Sequence, residues 1–155
     1  MIETPEIITT PRRDVAVIRF TIPRAEMMQA FGPGVQELMG VLAAQGLAPT
    51  GAVFAHHYRI TKETFDFDLG VPVGRPVTAS GRVKPDVWPT QRAARTVYHG
   101  GYEGLPGAWG EFTAWMQGQG VAQAEDLWES YTAGPQTSAD PKAWRTELVR
   151  PLVEK

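Results

Sequence analysis

The chain has 155 residues and a formal charge of −2 at pH 7, with 43% hydrophobic and 10% aromatic residues, which is enough apolar material for one packed core and too much for a disordered segment. No basic run exceeds the pair Arg12-Arg13, so the electrostatic footprint of a nucleic-acid backbone is missing and direct DNA binding is disfavoured. The absence of cysteine excludes disulfide scaffolds, thiolate nucleophiles and cysteine-type zinc sites.

The N-terminal Met1-Ile2-Glu3-Thr4-Pro5-Glu6 is acidic and broken by proline, where a secretory signal needs a basic segment and then an apolar run. No stretch approaches the ~20 apolar residues of a membrane-spanning helix. The expected address is the cytoplasm, with no membrane contact. A first strand is expected over residues 14–21. A helix over 33–47 follows, with Pro33 near its start, an apolar stripe of Phe31, Val35, Leu38 and Leu42, and a glycine stop after Gln45. Two strand-like runs come next. Residues 51–60 carry Val53, Phe54 and Tyr58, and in 64–73 Phe65, Phe67, Leu69 and Val71 alternate with Asp66, Asp68 and Gly70. The proline-rich segment 74–91 reads as a connector that contributes part of a strand around 80–83.

The same order then repeats: a strand over 92–99, a helix over 106–121 with Leu105, Trp109, Phe112 and Met116 on its stripe, and strands over 127–132 and 144–153. The closing strands align as Phe65-Asp66-Phe67-Asp68-Leu69 with Trp144-Arg145-Thr146-Glu147-Leu148, which makes Asp68 and Glu147 equivalent and pairs His57 with Tyr131. The expected fold is α+β: a tandem strand–helix–strand–strand repeat with pseudo-two-fold symmetry, an antiparallel sheet with helices on one face, and a ligand cleft on the other at the seam. Residues 1–155 form one domain, with half-repeats of about 7–75 and 76–155.

Tyr98-His99-Gly100-Gly101-Tyr102, then Leu105, Trp109 and Trp115, then Trp128-Glu129-Ser130-Tyr131, Pro135, Pro141 and Trp144-Arg145-Thr146-Glu147-Leu148-Val149-Arg150-Pro151 resemble the gyrase-inhibitor-like (GyrI-like) effector-binding domains of bacterial transcription activators. The closing Trp-Arg-Thr-Glu-x-x-x-Pro and the Trp-Glu-x-Tyr are the most specific pieces. The resemblance implies a cleft for lipophilic, often cationic, small molecules with a glutamate of the last strand at its centre, here Glu147. It also implies a helix-turn-helix part in multidomain relatives. With the first strand expected near Asp14 this sequence has no residues for one, so a stand-alone member is expected.

On an alternating strand Trp144, Thr146 and Leu148 point one way and Arg145, Glu147 and Val149 the other, so a core-facing Leu148 turns Glu147 to the cleft. A half-buried carboxylate selects positive charge, because a bound organic cation relieves its lost solvation. The bland alternative is a solvated charge on a strand face. Asp68, placed likewise by the repeat, either adds to that field or marks the solvent face of its strand. Tyr131, Trp128, Tyr98, Tyr102 and Trp88 are the candidate aromatic walls, each with a core role as the alternative, whereas Trp109, Trp115, Phe112 and Trp144 are assigned to the core. Trp128 and Tyr131 differ by three, so only one of them lines the cleft, and Tyr131 is preferred for its hydroxyl. His57 faces the cleft if its alignment with Tyr131 holds. His56-His57 invites a metal, but neighbours on a strand project to opposite faces and no third ligand completes a site; no metal or other cofactor is expected. His99 is as readily a structural residue as a proton carrier. The glycine-rich run 100–107 lacks the Gly-Lys-Ser/Thr of a phosphate loop and reads as a turn into the helix.

Three functions remain open at this level. The first is a binding module, sensor or scavenger, for a hydrophobic or cationic small molecule. The second is a hydrolase of electrophilic cyclopropane-type natural products, with Glu147 as base and Tyr131 or Tyr98 orienting. The third, suggested by the family name, is a protein partner that inhibits DNA gyrase.

Overall fold

The computed structural model describes residues 2–60, 63–134 and 138–153, so Pro135 of the family pattern lies outside the described residues. In chain order the elements are β1 (Glu6–Thr9), β2 (Arg13–Pro23), α1 (Met27–Ala44), β3 (Phe54–Ile60), β4 (Thr64–Val73), β5 (Val83–Trp88), β6 (Arg92–His99), α2 (Leu105–Gly118), β7 (Leu127–Ala133) and β8 (Arg145–Pro151). The expected α+β class and the doubled strand–helix–strand–strand order are both present. The chain divides into two compact units, residues 11–90 and residues 1–10 with 91–155.

In the unit of residues 11–90 the strands run β3-β4-β2-β5, each antiparallel to its neighbour. Val15, Ala16, Val17 and Ile18 are all buried, which is what an unbroken apolar run requires: a central position, here between β4 and β5, with both faces covered. Phe20 stacks on Phe67 across the β2–β4 ladder, with ring centroids 5.4 Å apart. Helix α1 lays Leu38 and Leu42 on this layer and comes close at Gly34, where an added Cβ would lie 2.8 Å from Leu69 and 3.0 Å from Phe20. The helix begins at Met27, earlier than expected, with Pro33 in its interior. Proline there removes one backbone donor, to the carbonyl of residue 29, and Pro33 is exposed, so water can take that carbonyl. The connector contributes β5 at Val83–Trp88, later than the expected 80–83; an isolated bridge between Ser80 and Val83 makes the turn into it.

In the other unit the order is β1-β6-β8-β7, again antiparallel. Strand β1 carries only Ile7 and Ile8 as apolar signal, too short for periodicity to reveal, and it pairs with β6, so the first ten residues belong with the second repeat. The unit boundaries therefore differ from the half-repeats expected at about 7–75 and 76–155: β5 extends the first to residue 90, and β1 joins the second. Helix α2 packs Ala108, Phe112 and Met116 against Ala94, Tyr98 and Leu148. Both helices end as expected at glycine. Gly46 (φ 68°) and Gly120 (φ 70°) take the left-handed conformation, and the N–H groups of Leu47 and Val121 reach back to the carbonyls of Leu42 and Met116.

The repeat extends to irregularities of register. Asp68 faces His56 across β4–β3 and Glu147 faces Ser130 across β8–β7, so the aligned acids hold the same place in each ladder. Both ladders slip within a residue or two of these acids' partners, between His57 and Arg59 and between Ser130 and Ala133. Such bulges re-aim the side chains beside them, here Tyr58 and Tyr131.

Candidate functional site

Period-two alternation along β7 puts Leu127 and Glu129 on one face and Trp128 on the other. Glu129 is the cross-strand partner of Leu148, which belongs to the α2-packed core, so Glu129 points to the α2 side of its strands. There it is 8% exposed. The indole N–H of Trp109, on α2, donates to its Oε2 at 2.7 Å, and the hydroxyl of Tyr131 donates to its Oε1 at 2.9 Å. Burial raises the carboxyl above the ordinary glutamate value, and the two donated hydrogen bonds oppose that rise. Burial, reinforced by the neighbouring Glu129 charge, pushes the Tyr131 phenol far up, so its proton stays on the oxygen.

Tyr102 sits edge-on to Tyr131, with centroids 5.8 Å apart, and against the ring of Trp144 at 5.0 Å. At 37% exposed, it is the solvent-facing ring of the group. A single 3-10 turn, Tyr102–Gly104, presents it. The buried hydroxyl of Tyr98 donates to the Gly101 carbonyl at 2.9 Å, and any side chain at Gly104 would overlap that hydroxyl. The Trp144 indole donates to the Ser138 carbonyl at 2.8 Å, which fixes the last ring. The result is a sequestered carboxylate held by Trp109 and Tyr131, with Tyr102 and then Trp144 packed in succession on Tyr131, an arrangement able to meet a cation with charge and with ring faces.

The residues expected from sequence separate into three groups. Tyr131 and Tyr102 are in this cluster, and Tyr98 anchors the turn beneath it. Glu147 and Trp128 point to the opposite face of their strands. Glu147 is engaged by the Arg95 guanidinium at 2.8 Å and is 20% exposed, so it is an ion-paired strand carboxylate rather than a lone acid. The reason is local: Arg95 lies two residues along β6 from Val97, the cross-strand partner of Glu147, and so shares its face. Arg95 also reaches Glu6 of β1 at 3.3 Å. Trp128 is buried opposite Val149.

The third group, Trp88, His57 and Asp68, belongs to the unit of residues 11–90. Trp88 is buried edge-on to Phe54, with Arg13 above it at 5.3 Å. His57 is buried between the rings of Phe65 and Phe67; burial first, then the charges of His56 and Arg24, pull it down to about 4, so it is neutral at pH 7. His56 and His57 face Asp68 and Phe67 respectively and so project to opposite faces of β3. Asp68 accepts from the Tyr58 hydroxyl. His99 pairs with Glu3 at 2.6 Å. Trp109, assigned to the core, packs against it and also donates to the acid, and Trp144, likewise assigned, packs on Tyr102. Glu129 was not singled out from sequence, although its two-residue spacing from Tyr131 is the signal that places an acid and a phenol together.

The GyrI-like small molecule binding domain model matches residues 3–153. The chain belongs to this GyrI-like family. It is a GyrI-like small-molecule binding domain. No curated protein matches it. Among solved structures, the C-terminal domain of EcmrR superposes with a TM-score of 0.87 at 22% identity over 98% of each chain. Against EcmrR in its DNA complex the TM-score is 0.86, and this GyrI-like chain spans 58% of that protein's length. A hydrolase from Listeria innocua matches at a TM-score of 0.69, with 14% identity over 96% of this chain and 91% of the other. SAV2435 bound to tetraphenylphosphonium matches at 0.64, with 11% identity over 97% and 94%. At these identities the likenesses establish the shared fold.

Proposed function

We propose that Glu129, together with the rings of Trp109, Tyr131, Tyr102 and Trp144, takes a lipophilic organic cation, and that the domain acts as a sensor or scavenger of such compounds. The observation that carries this reading is a carboxylate withdrawn from water among ring faces. Its lost solvation is returned by a cation, while ring contacts add roughly 0.5–2 kcal/mol each and buried apolar area about 25 cal/mol per Å². Both oxygens of Glu129 already accept hydrogen bonds from the protein, so the ligand is met by charge and surface and needs no donor of its own. Quaternary ammonium and phosphonium ions fit that description, and SAV2435, which shares the fold, was solved with tetraphenylphosphonium.

Calorimetric titration with tetraphenylphosphonium tests the assignment. Glu129→Gln is expected to weaken binding about 30-fold, or about 2 kcal/mol, with an unchanged circular dichroism spectrum. Glu147→Gln is expected to stay within about twofold, because Arg95 already compensates that charge. Full affinity in the Glu129 variant, or its loss in the Glu147 variant, reverses the assignment.

A hydrolase reading has one observation in its favour: the Tyr131 hydroxyl donates to Glu129, the contact by which a phenol orients a carboxylate base toward water. The Listeria innocua neighbour is named a hydrolase. Turnover of a cyclopropane-bearing electrophile, lost in both Glu129→Gln and Tyr131→Phe, is the outcome this reading requires. Stoichiometric binding without product favours the sensor.

A further inference from the structure

In the unit of residues 1–10 and 91–155, Arg150 of β8 is the cross-strand partner of Ala94, which belongs to the core beneath α2, so Arg150 points to the α2 side of its strands. It is half-buried there. Its Nε donates to the Ala124 carbonyl at 2.8 Å, which ties the segment after α2 to the end of β8. Nη1 and Nη2 have no hydrogen-bond or ion-pair partner among the described residues, and both reach water. Arg19, Arg82 and Arg95 each meet a carboxylate at 2.7–3.0 Å, yet Arg150, more buried than any of them, meets only a carbonyl. Asp126 is near enough for its charge to act on the guanidinium, but burial outweighs it and lowers the arginine's hold on its proton. Two further features lie on this face. Arg92, two residues along β6 from Ala94, is exposed and adds a second positive charge. Leu152, two residues along β8 from Arg150, and Val121 are partly buried apolar side chains packed on the α2 core.

We propose that Arg150 is an anion site for organic carboxylates with a small apolar body, the carboxylate resting on Nη1 and Nη2 and the body on Leu152 and Val121. A planar carboxylate meets the outer edge of a guanidinium with two parallel hydrogen bonds, and its charge returns to the half-buried cation the solvation that burial removed. Arg92 raises the local concentration of anions without holding one. A single guanidinium whose field Asp126 partly offsets suits one negative charge better than the two of a phosphate monoester. The site does not rest on the reading of Glu129. Glu129 lies on the same face, opposite Leu148 and so two residues along β8 from Arg150, and its charge opposes an anion rather than attracting one.

2-Naphthoate is the probe, titrated by calorimetry into the full chain at low salt. Single-site binding is expected to weaken about tenfold or more in Arg150→Gln, which removes the fork, and about twofold in Arg92→Gln, which removes only a screened surface charge. Glu129→Gln is expected not to weaken it. 2-Naphthamide, the same ring system without the charge, is expected to bind about tenfold or more less tightly and to be indifferent to Arg150→Gln. Absence of saturable binding at millimolar naphthoate, unchanged binding in Arg150→Gln, equal affinity for the amide, or weakened binding in Glu129→Gln overturns the proposal. If Arg150→Gln does not fold, the Nε–H resonance of Arg150 in the unmodified chain decides: a saturable shift with naphthoate supports the site, and an unmoved resonance overturns it.

Discussion

Two glutamates eighteen positions apart illustrate how much a residue's neighbours decide: Glu147 has a guanidinium on its own strand face, and Glu129 has an indole N–H, a phenol and little share of water. Because burial raises the Glu129 carboxyl and a bound cation favours its ionised form, affinity for a lipophilic cation is expected to rise with pH above the ordinary glutamate range. Calorimetry at a series of pH values checks the sign, and a flat profile would mean the acid is ionised throughout. His57 supplies a second pH dependence. Its folded value of about 4 lies below the ordinary histidine value of 6.5, so the unfolded chain binds the extra proton first. Its contribution is fully present above pH 6.5 and lost as pH falls toward 4, a loss of about 3 kcal/mol by linkage. His57→Phe is expected to flatten that part of the stability–pH curve, measured by urea denaturation at pH 7, 5.5 and 4.5.

At the scale of elements, the turn that carries Tyr102 is held by a close fit of glycine to tyrosine. Gly104→Ala forces a methyl into the Tyr98 hydroxyl, and an overpacked contact of this kind costs about 1–3 kcal/mol. Removing the hydroxyl in the double variant Gly104→Ala, Tyr98→Phe is expected to restore part of that loss, less about 1 kcal/mol for the bond to Gly101. Additive melting temperatures would contradict this account. The end of α2 makes a simpler case: at Gly120, φ 70°, an alanine meets no atom within 4 Å but must adopt a left-handed backbone, at a cost of about 1 kcal/mol. Strands with a clear period of two and helices closed by glycine were legible from the amino acids, and β4 and β6 fall at their expected bounds. Strand β1 was not, because four residues carry too little pattern, and the start of α1 was not, because an exposed proline is tolerated inside a helix.

For the molecule as a whole, saturating lipophilic cation is expected to raise the apparent stability by mass action. At one hundred times the dissociation constant the gain is about 2.7 kcal/mol, or roughly 5–10 °C in a chain of this size, and Glu129→Gln should remove most of it at the same concentration. The α+β class, the doubled order of elements and the GyrI-like family were all available from hydrophobic period and from side chains such as Trp128-Glu129-Ser130-Tyr131, because alternation and capping are local properties that the chain displays before it folds. Which carboxylate ends up dry was not available. That depends on Arg95 sharing a face with Glu147 and on Trp109 reaching across from α2 to Glu129, contacts between residues 52 and 20 positions apart. Only pairing register and helix packing bring such groups together, and desolvation, which gives the acid its selectivity, is a property of that packing rather than of the residue.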